Sequence, residues 1–486
     1  MQEDPDRALL RTRRLILLDG VLSRLMDSWT GGVFLAGIAL LAGADNFQLG
    51  LIAALPFLAQ VAQLPAVHIL STVTDRRRVV VTCALASRLF LAAIAILLMT
   101  GQAAAPPLLA LLAINAILTV VATAAWNTWM RETLDPGSFG RFFGFRLQLA
   151  TLIGALATLA GGWFLDRSPT SAGYGIVFLA GAAAGLSSVL VLAITPKAAA
   201  APPTETQRRS ALRQVQETLR APGSLATVLG LGLTAAALSI ALPFTAVYLL
   251  RSVGYSVLAV TVLALTSQVA YIGGLRVWGG ASDRFGNRPV LQLAGGLLAV
   301  ALLLWSIGWQ GGPPALTFAY FAAAHILSGM AVGGLELTTG NLLLKTAPPH
   351  KVAAHLAAFS LARAAIAAAA TIGAGWLWSI LGSQPLAAVS LGATTVQVRG
   401  FHVLALLSTA AAALSVWALA RVPEPQAASM PEVARAMRRE VQAMSSVAGV
   451  RAFVHVTSFL TESLRHPQRT TKAKARKENG KPGPPH

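Results

Sequence analysis

Cysteine and charge are the two things this chain is short of. A single cysteine, Cys83, among 486 residues excludes a disulfide framework and any multi-cysteine metal centre. Only 12% of the residues are charged, about half the share usual in a soluble globular protein, which excludes an ordinary cytosolic enzyme. The phosphate-cradling G-x-x-x-x-G-K-[ST] loop is missing, so ATP-driven work by this chain is not expected. H-E-x-x-H and G-x-S-x-G are missing as well, and no polar stretch is long enough for a soluble catalytic domain. No enzymatic activity and no cofactor are therefore expected. The opening residues, MQEDPDRALLRTRR, lack the short apolar core of a cleavable signal.

Apolar sequence is what the chain has in abundance: 55% of residues are hydrophobic. A helix needs about 20 apolar residues to cross a bilayer, so the runs free of Asp, Glu, Lys and Arg are the units to count. Two are too long for one helix, residues 89–130 and 289–335, and each is broken by Gly and Pro, at Gly101 to Pro107 and at Gly311-Gly312-Pro313-Pro314. The sum is an all-α membrane protein with twelve transmembrane helices. The expected spans are 17–43, 46–70, 79–100, 107–130, 141–165 and 174–195, then 224–250, 256–280, 289–309, 315–342, 353–381 and 399–421.

Net charge is +19, and its distribution sets the topology. Thirty Lys and Arg fall on the side that holds both termini and the loops after even-numbered spans, against three (Arg167, Arg251, Arg399) on the other. The positive-inside rule then puts both termini in the cytoplasm, as expected of a multi-pass protein of the cytoplasmic (inner) membrane. The same bias accounts for most of the basic excess, so no nucleic-acid partner is expected.

The chain reads as a tandem duplication. Asp75-Arg76 and Asp283-Arg284 are 208 residues apart, Pro106-Pro107 and Pro313-Pro314 are 207 apart, and Asn127 and Asn341 are 214 apart. Nearly one offset for three landmarks implies two parallel, pseudo-symmetric six-helix bundles. The expected organisation is a cytoplasmic N-terminus at 1–14, bundles at 15–195 and 224–421, a linker at 196–223 with a surface helix at 205–219, and a C-terminal region at 422–486. In that last region residues 431–460 read as an amphipathic helix suited to anionic lipid, followed by a basic disordered tail.

The loop after span 8 runs Gly279-Gly280-Ala281-Ser282-Asp283-Arg284-Phe285-Gly286-Asn287-Arg288-Pro289-Val290-Leu291. It resembles the G-x-x-x-D-R-x-G-R-[KR]-x-x-L signature of the major facilitator superfamily (MFS), with Asn287 departing from it. The copy after span 2, around Asp75 and Arg76, has lost both glycines. WNTWM and GRFFGFR look like a bacterial subgroup of that superfamily whose members mostly lack an assigned substrate. The resemblance implies the MFS fold, a secondary transporter with its site between the halves at mid-depth, and a loop that latches the outward-open form and releases as the protein rocks inward. On this reading Asp75, Arg76, Gly279, Asp283, Arg284, Gly286 and Arg288 are gating residues.

Ionisable groups within a span cost roughly 2.5–3.5 kcal/mol each and need a partner or a purpose. Span 1 holds Arg24 and Asp27, with Asp19 near its cytoplasmic end, and Arg88 in span 3 lies at nearly the depth of Asp27. Asp27 reads either as a site for a proton or cationic substrate, or as half of a static pair with Arg24 or Arg88. Glu336 in span 10 and Arg363 in span 11 match in depth and read as an ion pair, static or switchable by protonation. His325 reads as a core hydrogen-bonder ahead of a proton site. Trp126, Asn127, Asn341, Gln268, Tyr248 and Tyr271 are candidates for the substrate cleft, and small residues at Gly154, Gly161, Gly162, Gly373 and Gly375 for the seams between halves.

With no ATP site, the expected function is secondary active transport of a small organic solute by alternating access. Proton coupling is expected, with export favoured because apolar walls suit amphipathic cargo. The expected partners are that solute, protons and membrane lipids, and the expected state is a monomer. The alternative is a non-transporting membrane assembly or scaffold protein on the same fold.

Overall fold

A computed structural model describes residues 5–66, 73, 75–133, 139–196, 211–310, 312–348, 351–382, 384–391, 394–424 and 427–435. Twelve spans run in the order expected. Eleven are helices long and apolar enough to cross a membrane: Asn46–Ala66, Arg76–Met99, Ala105–Thr133, Phe142–Arg167, Ser171–Ile194, Ser224–Val253, Val257–Phe285, Asn287–Ile307, Pro314–Thr346, Ala354–Leu381 and Gly400–Leu419. These are spans 2 to 12. Span 1 consists of two helices, Pro5–Thr30 and Gly32–Leu41, and its charged residues set it apart from the rest. Its helix starts well before position 15, without a break at the expected boundary. Of the expected linker helix, Ala211–Arg220 is helical; residues 205–210 lie outside the described residues.

The sequence dictates where spans 1 and 7 bend. Gly32 sits at φ +54°, a backbone region that favours glycine, and the helix restarts there. In span 7 the regular helix ends at Ile240, and Leu242–Phe244 form a tight 3-10 turn around Pro243, which has no N–H to give. The first helix of each half is thus interrupted at a corresponding place.

Packing repeats with the sequence. Span 1 packs on spans 5 and 6, as span 7 does on 11 and 12; span 3 packs on 4 and 6, as span 9 does on 10 and 12. The halves meet along two seams that exchange under the same six-span shift, span 2 on span 11 and span 5 on span 8. One feature was not foreseen: Ala387–Leu391 and Thr394–Val398 form an antiparallel hairpin, β1 and β2, between spans 11 and 12, with Ala387 opposite Val398. The run reads as loop by its apolar content, yet Val389, Val396 and Val398 are good strand formers.

Residues up to Ala427 form one compact unit and Ala428–His486 a second. In the second, residues 430–435 are helical; the rest of the expected amphipathic helix and the basic tail lie outside the described residues.

At the end of the bundle that carries the Lys/Arg-rich loops, the two copies of the loop motif differ. Asp75 caps span 3, accepting from the Arg78 N–H at 3.2 Å, and Arg76 pairs with Glu132 of span 4 at 3.0 Å. In the second copy Asp283 is exposed and caps nothing. Glu424, after span 12, takes that place instead. Its buried carboxylate accepts from the N–H groups of Asn287 (3.1 Å) and Arg288 (2.7 Å), from the Asn287 amide (2.9 Å) and from Lys345 (3.1 Å). Asn287, the departure from the signature, is thus the residue fitted to Glu424. Gly286 turns at φ +94°, with Ala427 3.0 Å from where a Cβ would sit.

Burial alone would raise the Glu424 pKa, but the hydrogen bonds from Arg288, Asn287 and Lys345 outweigh it and hold the carboxyl below its ordinary range. A depressed folded-state pKa means stability that is present above the unfolded value and lost as pH falls through the folded one. Glu424→Gln is therefore expected to destabilise the protein by about 2–3 kcal/mol at neutral pH. In thermal unfolding of the detergent-solubilised protein, the gap to wild type should close as the buffer is acidified below the carboxylate range.

Candidate functional site

Two adjoining cavities open in the N-terminal half. One, of about 340 Å³, is walled by spans 1, 3, 4, 5 and 6; the other, of about 910 Å³, lies between spans 2 and 4. They share Thr119, Thr123 and Asn127 of span 4, so span 4 is the wall between them.

The smaller cavity collects the charges of spans 1, 3 and 5: Asp19, Arg24, Asp27, Arg88 and Arg146. They do not form one network. Asp19 is buried and satisfied: Arg146 donates to it at 2.9 Å and Ser188 at 2.7 Å, with Ser23 at 3.3 Å. The Arg146 guanidinium also lies 4.8 Å from the Trp126 ring centre, a cation–π contact that completes its desolvated setting. Asp27 is different. Its side chain is exposed to the cavity and makes no hydrogen bond or ion pair among the described residues, so the static pairs with Arg24 or Arg88 are not formed. Arg24 and Arg88 each bury an Nε that has no partner; Arg88 is 7% exposed and donates to the Ser87 hydroxyl at 3.1 Å.

Glycines make room for these long side chains. A Cβ on Gly154 of span 5 would meet Arg24 Cγ at 2.8 Å, one on Gly185 of span 6 would meet Arg88 Cγ at 2.8 Å, and one on Gly20 would meet the Arg146 Nε at 2.5 Å. Each arginine stem lies in a notch on a neighbouring helix, which fixes where its head can reach. Of the seam glycines expected from sequence, Gly154 and Gly161 therefore pack on span 1 of their own half, Gly161 against Phe34 and Trp29. Gly162 and Gly375 lie on the seams: Gly162 against Leu258 and Thr261 of span 8, and Gly375 against the backbone of Gly50 in span 2.

The other candidates divide. Trp126 and Asn127 line the cavities. Asn341, the duplicate of Asn127, lines neither. Glu336 is exposed and accepts a 2.7 Å hydrogen bond from the Tyr271 hydroxyl of span 8. The expected Glu336–Arg363 ion pair is not formed: the Glu336 carboxylate is met by Tyr271, and Arg363 keeps a buried Nε with no partner. Gln268 is half-buried on the same span as Tyr271. His325 is buried, its Nδ1 2.9 Å from the Phe321 carbonyl and its ring edge-on to Trp305. Tyr248 lines neither cavity: it is fully buried, stacked 4.2 Å from Phe401 and hydrogen-bonded to His402 and Gln310. Its place past the span 7 kink, which sequence did not fix, turns it into the aromatic core. Sequence reasoning also passed over Gln60 and Gln63 of span 2 and Asn115, Thr119 and Thr123 of span 4, which line the larger cavity; the signal for the last three was their spacing of four along one helix face.

At the end of the bundle opposite the Lys/Arg-rich loops, the halves are joined. Arg251 donates to Asn46 at 2.7 Å and lies over the Trp378 ring, Asn46 donates to the Trp378 carbonyl at 3.1 Å, and the Leu258 N–H donates to Asp166 at 3.0 Å. The outer pieces of spans 1 and 7 also touch there.

The same architecture recurs in known proteins. The Major Facilitator Superfamily model matches residues 20–369. No curated protein matches the sequence. Among solved structures, a mutant of the nucleoside transporter NupG superposes with a TM-score of 0.68 at 14% identity, over 86% of this chain and 100% of that one. A bacterial homologue of the iron transporter ferroportin, in an inward-facing state, gives 0.62 at 14% identity over 85% and 98%. The xylose transporter XylE from E. coli, in an inward-open conformation, gives 0.61 at 14% over 88% and 99%. With the family model spanning most of its length and its twelve spans paired as two copies of six, this chain belongs to the Major Facilitator Superfamily.

Proposed function

We propose that the protein is a secondary transporter that moves a small organic solute across the cytoplasmic membrane by alternating access, with Asp27 carrying a coupled proton. The observation that carries this reading is Asp27 itself, a carboxylate within a membrane span, exposed to a cavity and with no partner among the described residues. A group so placed costs several kcal/mol unless it is used. Closure of the seams opposite the Lys/Arg-rich loops, with the positive-inside topology, supports assignment of this conformer to the form facing the cytoplasm. Asp75, Arg76, Gly279, Asp283, Arg284, Gly286 and Arg288 would latch the opposite form. Glu336, held by Tyr271, and Arg363 are the counterpart groups of the C-terminal half.

The cavity walls carry polar and charged side chains among apolar ones, and direction is read from the experiment. Purified protein in proteoliposomes with an internal pH dye should give a pH change on addition of a transported solute from a metabolite panel, its sign separating symport from antiport. A panel in which no small molecule stabilises the protein, together with a membrane partner that co-purifies with it, would favour the scaffold alternative.

A further inference from the structure

The charges of the smaller cavity do not balance, and their imbalance points to the cargo. Asp19 and Arg146 cancel as a bonded pair. That leaves two guanidinium groups, Arg24 and Arg88, against one carboxylate, Asp27, with which neither pairs. Both arginines are seated in glycine notches on neighbouring helices, so they are built into the wall and cannot swing away to the headgroups. Arg88 is more than nine-tenths buried, and its Nε has no hydrogen-bond partner. Two arginines lining one cavity within the membrane, each with an unpartnered Nε, form a receptor for a planar oxyanion.

We infer that the protein binds an organic anion, with a carboxylate or phosphate oxyanion held by Arg24 and Arg88 and an apolar or aromatic body lying against the Trp126 side of the cavity. This deepens the transport reading and rests on it. Charge bookkeeping ties the two together. With Asp27 ionised the site carries one net positive charge and takes a monoanion. A proton on Asp27 removes the one negative charge that offsets the two arginines and strengthens the hold, so anion and proton favour each other's binding. The charged groups facing Asp27 are Arg24 on its own helix and Arg88 on span 3, with the neutralised pair of Asp19 and Arg146 from spans 1 and 5; span 4 offers Trp126 and Asn127, which do not titrate.

The test is binding of four probes of one size to the full-length protein in nanodiscs, by calorimetry: benzoate, phenyl phosphate, benzyl alcohol and benzylammonium. Benzoate or phenyl phosphate should bind measurably and the neutral and cationic probes should not; which anion binds tighter identifies the oxyanion. Arg88→Gln should weaken anion binding about tenfold or more, and Arg24→Gln likewise. Asp27→Asn should strengthen it several-fold at neutral pH, an opposite sign that impaired folding cannot imitate. Equal or better binding of benzylammonium, failure of both anions to bind, or anion binding indifferent to all three substitutions would overturn the inference. Because the readout is binding alone, it can fail while solute-driven pH changes persist, and succeed while they are absent.

Discussion

Asp27→Asn is expected to reduce solute-coupled proton movement in proteoliposomes to the background of protein-free vesicles while leaving the fold intact. The amide matches the carboxylate in shape but cannot take up a proton. Asp27 makes no bond to any described residue, so its neutralisation strands no donor and thermal stability should change little. Asp19→Asn is the informative contrast. Asp19 is buried in a bonded pair with Arg146, and removing one partner of a buried pair costs about 3–5 kcal/mol because the other is left uncompensated. One aspartate of the cavity should register as lost coupling and the other, eight residues earlier in the same helix, as lost stability.

Gly375→Leu is expected to hold the bundle open at the end opposite the Lys/Arg-rich loops. A Cβ at position 375 would lie 2.7 Å from the Gly50 Cα and 2.9 Å from the Asn46 carbonyl oxygen. Both are backbone atoms, so spans 2 and 11 must separate before the side chain fits. Transport should be lost, and a membrane-impermeant thiol reagent applied from the external side should gain access to Asn127→Cys in a Cys83→Ser background. Gly373→Leu, two positions away on the same helix, meets nothing within 4 Å and should transport normally. Its stability should hold or rise slightly, since glycine costs a helix interior about 1 kcal/mol.

The contrast between those two glycines marks the limit of what sequence can convey. Span count and offsets near 208 are properties of the chain's own order, and both appear in the fold as read. Which side of a helix meets which neighbour is not. Gly373 and Gly375 are indistinguishable by composition; only the crossing of spans 2 and 11 separates them. For the same reason Asp27 and Arg24, three apart on one helix, read as a pair, whereas the notch at Gly154 leads Arg24 away along span 5. Glu336 and Arg363 match in depth, but depth ignores the competing hydroxyl of Tyr271. Glu424 was hidden differently. It follows the last span in sequence, and its part in capping span 9 depends on the return of the chain end to a helix begun well over a hundred residues earlier.

Alternating access requires that two copies of a six-helix unit rock against each other, so that the bundle opens to one side of the membrane and then the other. Double electron–electron resonance in nanodiscs tests it most directly, with one spin-label pair at Arg131→Cys and Gly340→Cys, at the basic end, and another at Gln102→Cys and Leu386→Cys, at the opposite end, both in a Cys83→Ser background. The account predicts two populations for each pair, shifting in opposite senses as pH or bound solute changes, so that one end narrows as the other widens. A single distance at each end, unmoved by pH and by every solute that binds, would contradict it.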